Sequence, residues 1–313
     1  MNAPATALIV TRDLLTGAEW NAARVRDLYR LAADVKAQPE RYRGALDGRF
    51  LALIFEKPSL RTRVTFEVGI QSLGGATVFL DHTDKRLGAR EAIKDVARNL
   101  ERWVQGIVAR TFEQRVLEEL ARHAAIPVIN ALSDRFHPCQ ALADFFTLEE
   151  RFGGLRGMKL AYLGDGNNVC HSLVVTGARV GAHVRVAAPA GYEPDAEIVA
   201  EAGRVARETG GKIELFRAAE EAVAGAQAVY TDVWASMGQE HEAAARAAVF
   251  APYQVNGALM KLAAPDGVFL HCLPARRGEE VTDEVIDSPR SMVYDQAENR
   301  LHVQKAILLM LLS

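Results

Sequence analysis

The sequence predicts an α/β protein with parallel sheets, divided into two domains. Three observations lead there. The 313 residues exceed the roughly 100–200 that one domain ordinarily takes. Apolar runs of strand length alternate with stretches of helical period almost throughout. Several of those runs are continuous in Val, Ile, Leu and Ala rather than alternating, as strands become when helices cover both faces of their sheet.

The elements fall into two series. Residues 19–36 carry the first helical pattern, and strands are predicted at 50–55, 76–81, 106–110 and 127–131. Helical patterns at 62–73 and 93–103 separate them, and a long one begins at Pro138. The Gly-rich stretch RFGGLRG at 151–157 then breaks the chain, and the domain boundary is expected there. The second series has strands at 159–164, 183–189, 212–216, 228–233 and 268–273, with a helix at 195–209. A final helix over 297–312 is strongly apolar on one side and must pack on something.

Composition narrows the partners. The chain has 37 basic and 40 acidic residues, a net charge of -3, and no block of one sign. Nucleic acid and membrane surfaces are therefore poor partners. Cys139, Cys170 and Cys272 are few, odd in number and far apart, which suits a reducing cytosol and neither a disulfide framework nor a zinc site. The N-terminal apolar run is too short for a secretory leader, and the C-terminal run 306–312 is far too short for a membrane span. A cytoplasmic protein is expected.

Chemistry concentrates where strands give way to helices. Ser59-Leu60-Arg61-Thr62-Arg63 follows a strand and opens a helix. A helix N-terminus offers free N–H groups and a positive dipole end, which suit phosphate. Ser59 and Thr62 add hydroxyls and Arg61 a bidentate cation, while Arg63 points away. The same residues also fit an N-capping serine with solvated arginines. Arg110 ends a strand, where ligands of α/β proteins gather. In His137-Pro138-Cys139-Gln140, Pro138 fits a first helical turn, which leaves a His donor and a Gln amide at the helix start.

Gly164-Asp165-Gly166-Asn167-Asn168 begins like a dinucleotide fingerprint. Val169 stands where the third glycine belongs, and the next strand ends without an acidic residue for a ribose, so NAD is not expected. Asn168 suits a polar substrate group instead. Asp232 sits at a strand end and can receive an ammonium, and Ser236, Met237 and Gly238 form a loop able to cover a ligand. In His271-Cys272-Leu273-Pro274, the proline stops the strand and exposes the Leu273 carbonyl.

Taken together and in this order, FEKPSLRTR, HPCQ, DVWASMGQE and HCLP resemble the aspartate/ornithine carbamoyltransferase family. The resemblance runs from about Leu14 to the C-terminus. It implies two doubly wound parallel-sheet domains facing across a cleft, linked by two crossing helices at 138–151 and 297–312. A carbamoyl phosphate-binding domain would span 1–150, completed by the C-terminal helix 297–313, and an amino-acid domain 151–296. The HCLP run and SMG loop point to ornithine as acceptor rather than aspartate, acetylornithine or putrescine. The implied reaction gives citrulline and phosphate without metal or organic cofactor, in a homotrimer or a multiple of trimers.

The resemblance also carries over roles. Ser59, Leu60, Arg61, Thr62 and Arg300 surround the phosphate. Arg110 and His137 polarise the carbamoyl carbonyl, and Gln140 and the Leu273 carbonyl hold its NH2. Asn168, Asp232, Ser236 and Met237 bind ornithine, with Cys272 beside the reacting amine. One position departs from the pattern: Arg86, in Lys85-Arg86-Leu87-Gly88, stands where relatives carry a Gln that contacts carbamoyl phosphate, often from the adjacent subunit.

Overall fold

A computed structural model describes residues 12–235 and 242–313. In the first half, strands β1 (Phe50–Phe55), β2 (Ala76–Asp81), β3 (Gly106–Arg110) and β4 (Val128–Leu132) form a parallel sheet in the order β2-β1-β3-β4. Around it run helices α1 (Ala22–Ala37), α2 (Leu60–Ser72), α3 (Ile93–Leu100), α4 (Gln114–His123) and α5 (Pro138–Phe152). In the second half, β5 (Lys159–Leu163), β6 (His183–Ala187), β7 (Lys212–Phe216), β8 (Ala228–Thr231) and β9 (Val268–His271) form another parallel sheet, ordered β7-β6-β5-β8-β9. Its helices are α6 (Asn168–Val180), α7 (Ala196–Thr209), α8 (Ala219–Val223), α9 (Ala243–Phe250), α10 (Gly257–Met260) and α11 (Asp283–Ile286). Helix α12 (Val293–Leu312) closes the chain.

All nine predicted strands are present. Strands β3, β8 and the edge strand β9 are buried along their whole length, whereas the edge strands β2 and β7 are partly exposed. The strand ends of the second sheet are shorter than predicted: β8 stops at Thr231 and β9 at His271. Asp232, Cys272 and Leu273 therefore lie just past the hydrogen-bonded ladder, on loops. Helix α1 starts at Ala22 rather than 19, because Asn21 caps it by accepting from Arg24 N–H. Glu19 instead receives the Thr16 and Gly17 N–H groups.

One apolar cluster joins the two sheets. It holds Leu53 and Val108 of the first, Tyr162 and Leu270 of the second, and Phe145, Val303 and Ile307 from α5 and α12 between them. Helix α5 ends at Gly153, whose φ of 73° is the left-handed cap that glycine takes without strain. Helix α12 begins four residues before its expected start at 297, so Arg300 lies about two turns inside it rather than opening it. In the missed turn, Gln296 is polar yet buried, so it does not extend the apolar stripe. Among the described residues, no helix is long and apolar enough to cross a membrane.

Candidate active site

In a doubly wound sheet, ligands bind beyond the carboxyl ends of strands, where the strand order reverses. That point lies between β1 and β3 in the first sheet and between β5 and β8 in the second. The loops following all four of these strands, together with those after β4 and β9, meet in one cleft of about 320 Å³. Ser59, Arg61, Thr62, Arg110, His137 and Gln140 line it from the first sheet's side. Asn168, Asp232, Cys272 and Leu273 line it from the second, and Arg300 reaches it from α12.

The first side is built to receive an anion. Ser59 is the N-cap of α2, its Oγ accepting from Thr62 N–H at 3.3 Å, so the helix N-terminus opens on the cleft. The capping reading and the binding reading of Ser59 are thus compatible. Arg63 turns away, pairing with Glu67 at 3.0 Å and lying over Phe79. Arg300 donates through Nη2 to Thr62 Oγ1 at 3.0 Å and through Nη1 to Gln140 Oε1 at 2.5 Å. Burial, then the nearby Arg300 and Arg61 charges, push Arg110 down to about 9, still cationic at neutral pH. Arg61 and Arg300 are also lowered, burial being the main cause. Three guanidiniums that destabilise one another are relieved by a dianion between them.

His137 caps α5 and donates its backbone N–H to Ser172 Oγ at 2.7 Å. Burial first, then Arg300, Arg110 and Arg61, hold its imidazole well below the ordinary range, so it is neutral at pH 7. Its Nδ1 and the Nε atoms of Arg110 and Arg300 are buried with no protein partner among the described residues. Orphaned polar atoms of this kind are costly unless a ligand meets them.

The second side carries the acid and the thiol. Asp232 accepts from Asn167 Nδ2 at 2.9 Å, from Val233 N–H at 2.8 Å and from Cys272 Sγ at 3.1 Å. Burial, then the Asp232 charge, raise the Cys272 thiol well above its usual value. Asn168 donates to the Ser133 carbonyl at 2.5 Å, tying α6 to the loop after β4. Leu273 has a left-handed backbone, φ 58°, and precedes a cis proline. Its N–H donates to His271 Nδ1 at 2.9 Å, so the ring proton is on Nε2, which donates to Glu280 at 3.1 Å. Asp232, His271 and Cys272 have donor atoms within 4.8 Å of one another. Both His271 nitrogens are already engaged, so that trio is a poor metal site.

Not every predicted residue reaches the cleft. Leu60 is 74% exposed and its side chain lies outside it. Arg86 also lies outside the cleft of its own chain: it stacks on Phe112 at 4.2 Å and pairs with Glu113 at 3.4 Å. Ser236 and Met237 lie outside the described residues. Lys57 and Arg276 do line the cleft, though the sequence reading gave them no role. Both sit in or beside the motifs, but on a loop nothing in the sequence says which way a cation points. Gly166 serves the fold rather than a dinucleotide, since a Cβ there would lie 2.2 Å from the Pro194 backbone.

Fold and site together define a doubly wound α/β protein with one polar cleft fed by two parallel sheets. Residues 12–150 match the family model described as the aspartate/ornithine carbamoyltransferase carbamoyl-P binding domain, and residues 156–311 match its Asp/Orn binding domain. The chain belongs to the aspartate/ornithine carbamoyltransferase family. It is 53% identical to the ornithine carbamoyltransferase of Thermus thermophilus, with 98% of each chain covered. It is 52% identical to that of Anoxybacillus flavithermus over the whole of both chains. The solved structure of the ornithine carbamoyltransferase from Pyrococcus furiosus superposes with a TM-score of 0.93 at 50% identity, covering 96% of this chain and 97% of that one.

Proposed function

We infer that the protein transfers the carbamoyl group of carbamoyl phosphate to the side-chain amine of L-ornithine, giving L-citrulline and phosphate. The observation that carries this reading is the convergence of Arg61, Arg110 and Arg300 on one side of a cleft whose other side holds Asp232 and Cys272. An acyl phosphate fits the first side and an amino acid the second.

The roles follow from chemistry. Ser59, Arg61, Thr62 and the first turn of α2, including the Leu60 N–H, hold the phosphate. The neutral amine attacks the carbamoyl carbon, and charge grows on the carbonyl oxygen. Arg110 supplies a cation there, and neutral His137 supplies a hydrogen bond rather than a second charge. Gln140 Oε1 and the Leu273 carbonyl accept from the carbamoyl NH2. As the C–N bond forms and the C–O bond to phosphate breaks, the departing phosphate takes the amine's proton and stays in the donors that held it, and Arg300 turns to it from Gln140. Positioning and preorganised charge supply the rate, with no covalent intermediate. Asn168, Asp232, Ser236 and Met237 receive ornithine.

Residues 1–150 with the C-terminal helix form the carbamoyl phosphate half, and 151–296 the ornithine half, in a cytoplasmic trimer or multiple of trimers. In such an assembly Arg86, turned outward in its own chain, serves a neighbour's site. The test is a colorimetric assay of the carbamoylated product with carbamoyl phosphate and ornithine, acetylornithine, putrescine or aspartate side by side. Ornithine is expected to dominate; faster carbamoylation of any of the other three overturns the reading.

A further inference from the structure

Asp144 is a fully buried acid that the reaction above does not use. It lies one turn beyond Gln140 on α5. Its Oδ1 accepts from Gln140 Nε2 at 2.8 Å and from Gln296 Nε2, on α12, at 2.7 Å. Gln296 Oε1 in turn accepts the His271 N–H at 3.0 Å, at the end of β9. Burying a carboxylate is costly, and burial pushes this one up to about 6. At neutral pH it is still mostly ionised, and so accepts hydrogen bonds only.

The two ends of a glutamine amide exchange by a half-turn, at little cost unless neighbours tell oxygen from nitrogen. Gln140 has neighbours that do. Arg300, a pure donor, faces its Oε1 at 2.5 Å, and the Asp144 carboxylate, a pure acceptor, faces its Nε2. Turned over, the amide would set NH2 against a guanidinium and C=O against a carboxylate. Gln296 is fixed by the same logic, between Asp144 and the His271 N–H. Both groups assigned above to the carbamoyl NH2 therefore trace to one oxygen: Gln140 directly, and the Leu273 carbonyl through Gln296 and His271.

We propose that Asp144 is a positioning residue for recognition of the carbamoyl NH2, holding the Gln140 amide with its carbonyl oxygen toward the cleft. This rests on the carbamoyl phosphate reading above. Once Arg300 turns to the bound phosphate, Asp144 alone keeps Gln140 in the accepting orientation. An acyl phosphate with a methyl in place of NH2 gains nothing from that orientation, so Asp144 acts on selectivity among acyl phosphates rather than on phosphate binding.

The experiment measures binding of carbamoyl phosphate and acetyl phosphate to the intact protein, for wild type, Gln140→Ala, Asp144→Leu and the double variant Gln140→Glu/Asp144→Asn. In Asp144→Leu, which cannot accept from Gln140 Nε2, carbamoyl phosphate binding is expected to weaken about tenfold, the worth of one hydrogen bond, while acetyl phosphate binding stays within about twofold. The double variant exchanges acid and amide between the two positions. Either oxygen of the carboxylate introduced at position 140 can face the cleft, and the amide introduced at position 144 can donate to the other, so the preference for carbamoyl phosphate returns. Equal weakening toward both ligands, or unchanged binding of both, in Asp144→Leu overturns the proposal; if Asp144→Leu does not fold, an absent preference in the double variant does so. A wild type that does not distinguish the two ligands, or a Gln140→Ala that distinguishes them as well as wild type, refutes the reading of Gln140 instead.

Discussion

The Cys272 thiol donates to Asp232 Oδ1 at 3.1 Å, across the carboxyl ends of the neighbouring strands β8 and β9. A thiol that donates to a carboxylate and is raised by burial and that same charge stays protonated at neutral pH. In the reaction proposed above, a thiol held this way serves as a partner for the reacting amine rather than as a nucleophile. Intact-protein mass spectrometry after incubation with carbamoyl phosphate alone is expected to find no adduct. A carbamoylated Cys272 overturns the mechanism.

Arg61 stands in the first turn of α2, in the cleft. Arg61→Ala is expected to lose at least ~3 kcal/mol of transition-state stabilisation, about 100-fold in kcat/KM, because a charge-assisted contact to phosphate disappears. Steady-state kinetics with carbamoyl phosphate varied decides this, and near-normal turnover removes Arg61 from the site.

Asp232 Oδ1 accepts from both Val233 and Cys272, whereas Oδ2 accepts from Asn167 and keeps a lone pair for a further donor. We assign it to the ornithine α-ammonium, since a carboxylate on the reacting amine would hold that amine charged. Asp232→Asn should chiefly raise the KM for ornithine and erase the preference over acetylornithine. Turnover should rise with pH from neutral to mildly alkaline, as an amine of pKa about 10.4 loses its proton. Neither His137, held neutral by a lowered pKa, nor Cys272, held protonated by a raised one, titrates in that range. A variant that still strongly prefers ornithine would falsify the assignment.

Among the described residues, the Arg86 side chain meets the face of Phe112 and an exposed pair with Glu113, contacts worth little individually. If it serves a neighbouring subunit, Arg86→Ala should weaken carbamoyl phosphate binding and leave the assembly's mass in sedimentation unchanged. Arg86→Gln, the residue usual in relatives, should be tolerated. Unchanged affinity in the alanine variant makes Arg86 a bystander.

Asp144 also leaves a signature in stability. Its folded pKa, about 6, lies above the ordinary 3.8 of an aspartate, so between these values the native state binds the extra proton. The sign is then fixed: stability falls as pH rises from about 4 to 6 and stays lower above, by about 3 kcal/mol as an upper bound. Asp144→Asn lacks this slope. Urea unfolding of both proteins at about pH 4.5 and about pH 7.5, on either side of the folded pKa, should show the variant gaining on wild type at the higher pH. Parallel changes in the two would mean that Asp144 is not perturbed.

The sequence by itself determined the strand order in the chain, the α/β class and the motifs. Those are local properties: apolar runs report burial of a strand on both faces, and the SLRTR, HPCQ and HCLP segments mark the ends of strands and starts of helices whatever they face. Out of its reach was anything set by contact between distant segments. The start of α12 was hidden because Gln296 is polar yet buried, satisfied by Asp144, 152 positions away. The resemblance alone placed Arg300 at the phosphate; the contacts that hold it there, to Thr62 and Gln140, come from folding. Asp144 gave no signal, since an acid in a helix reads as a solvated charge. Only tertiary structure, by removing water and supplying two amide donors and a guanidinium nearby, makes it a buried acceptor with a function.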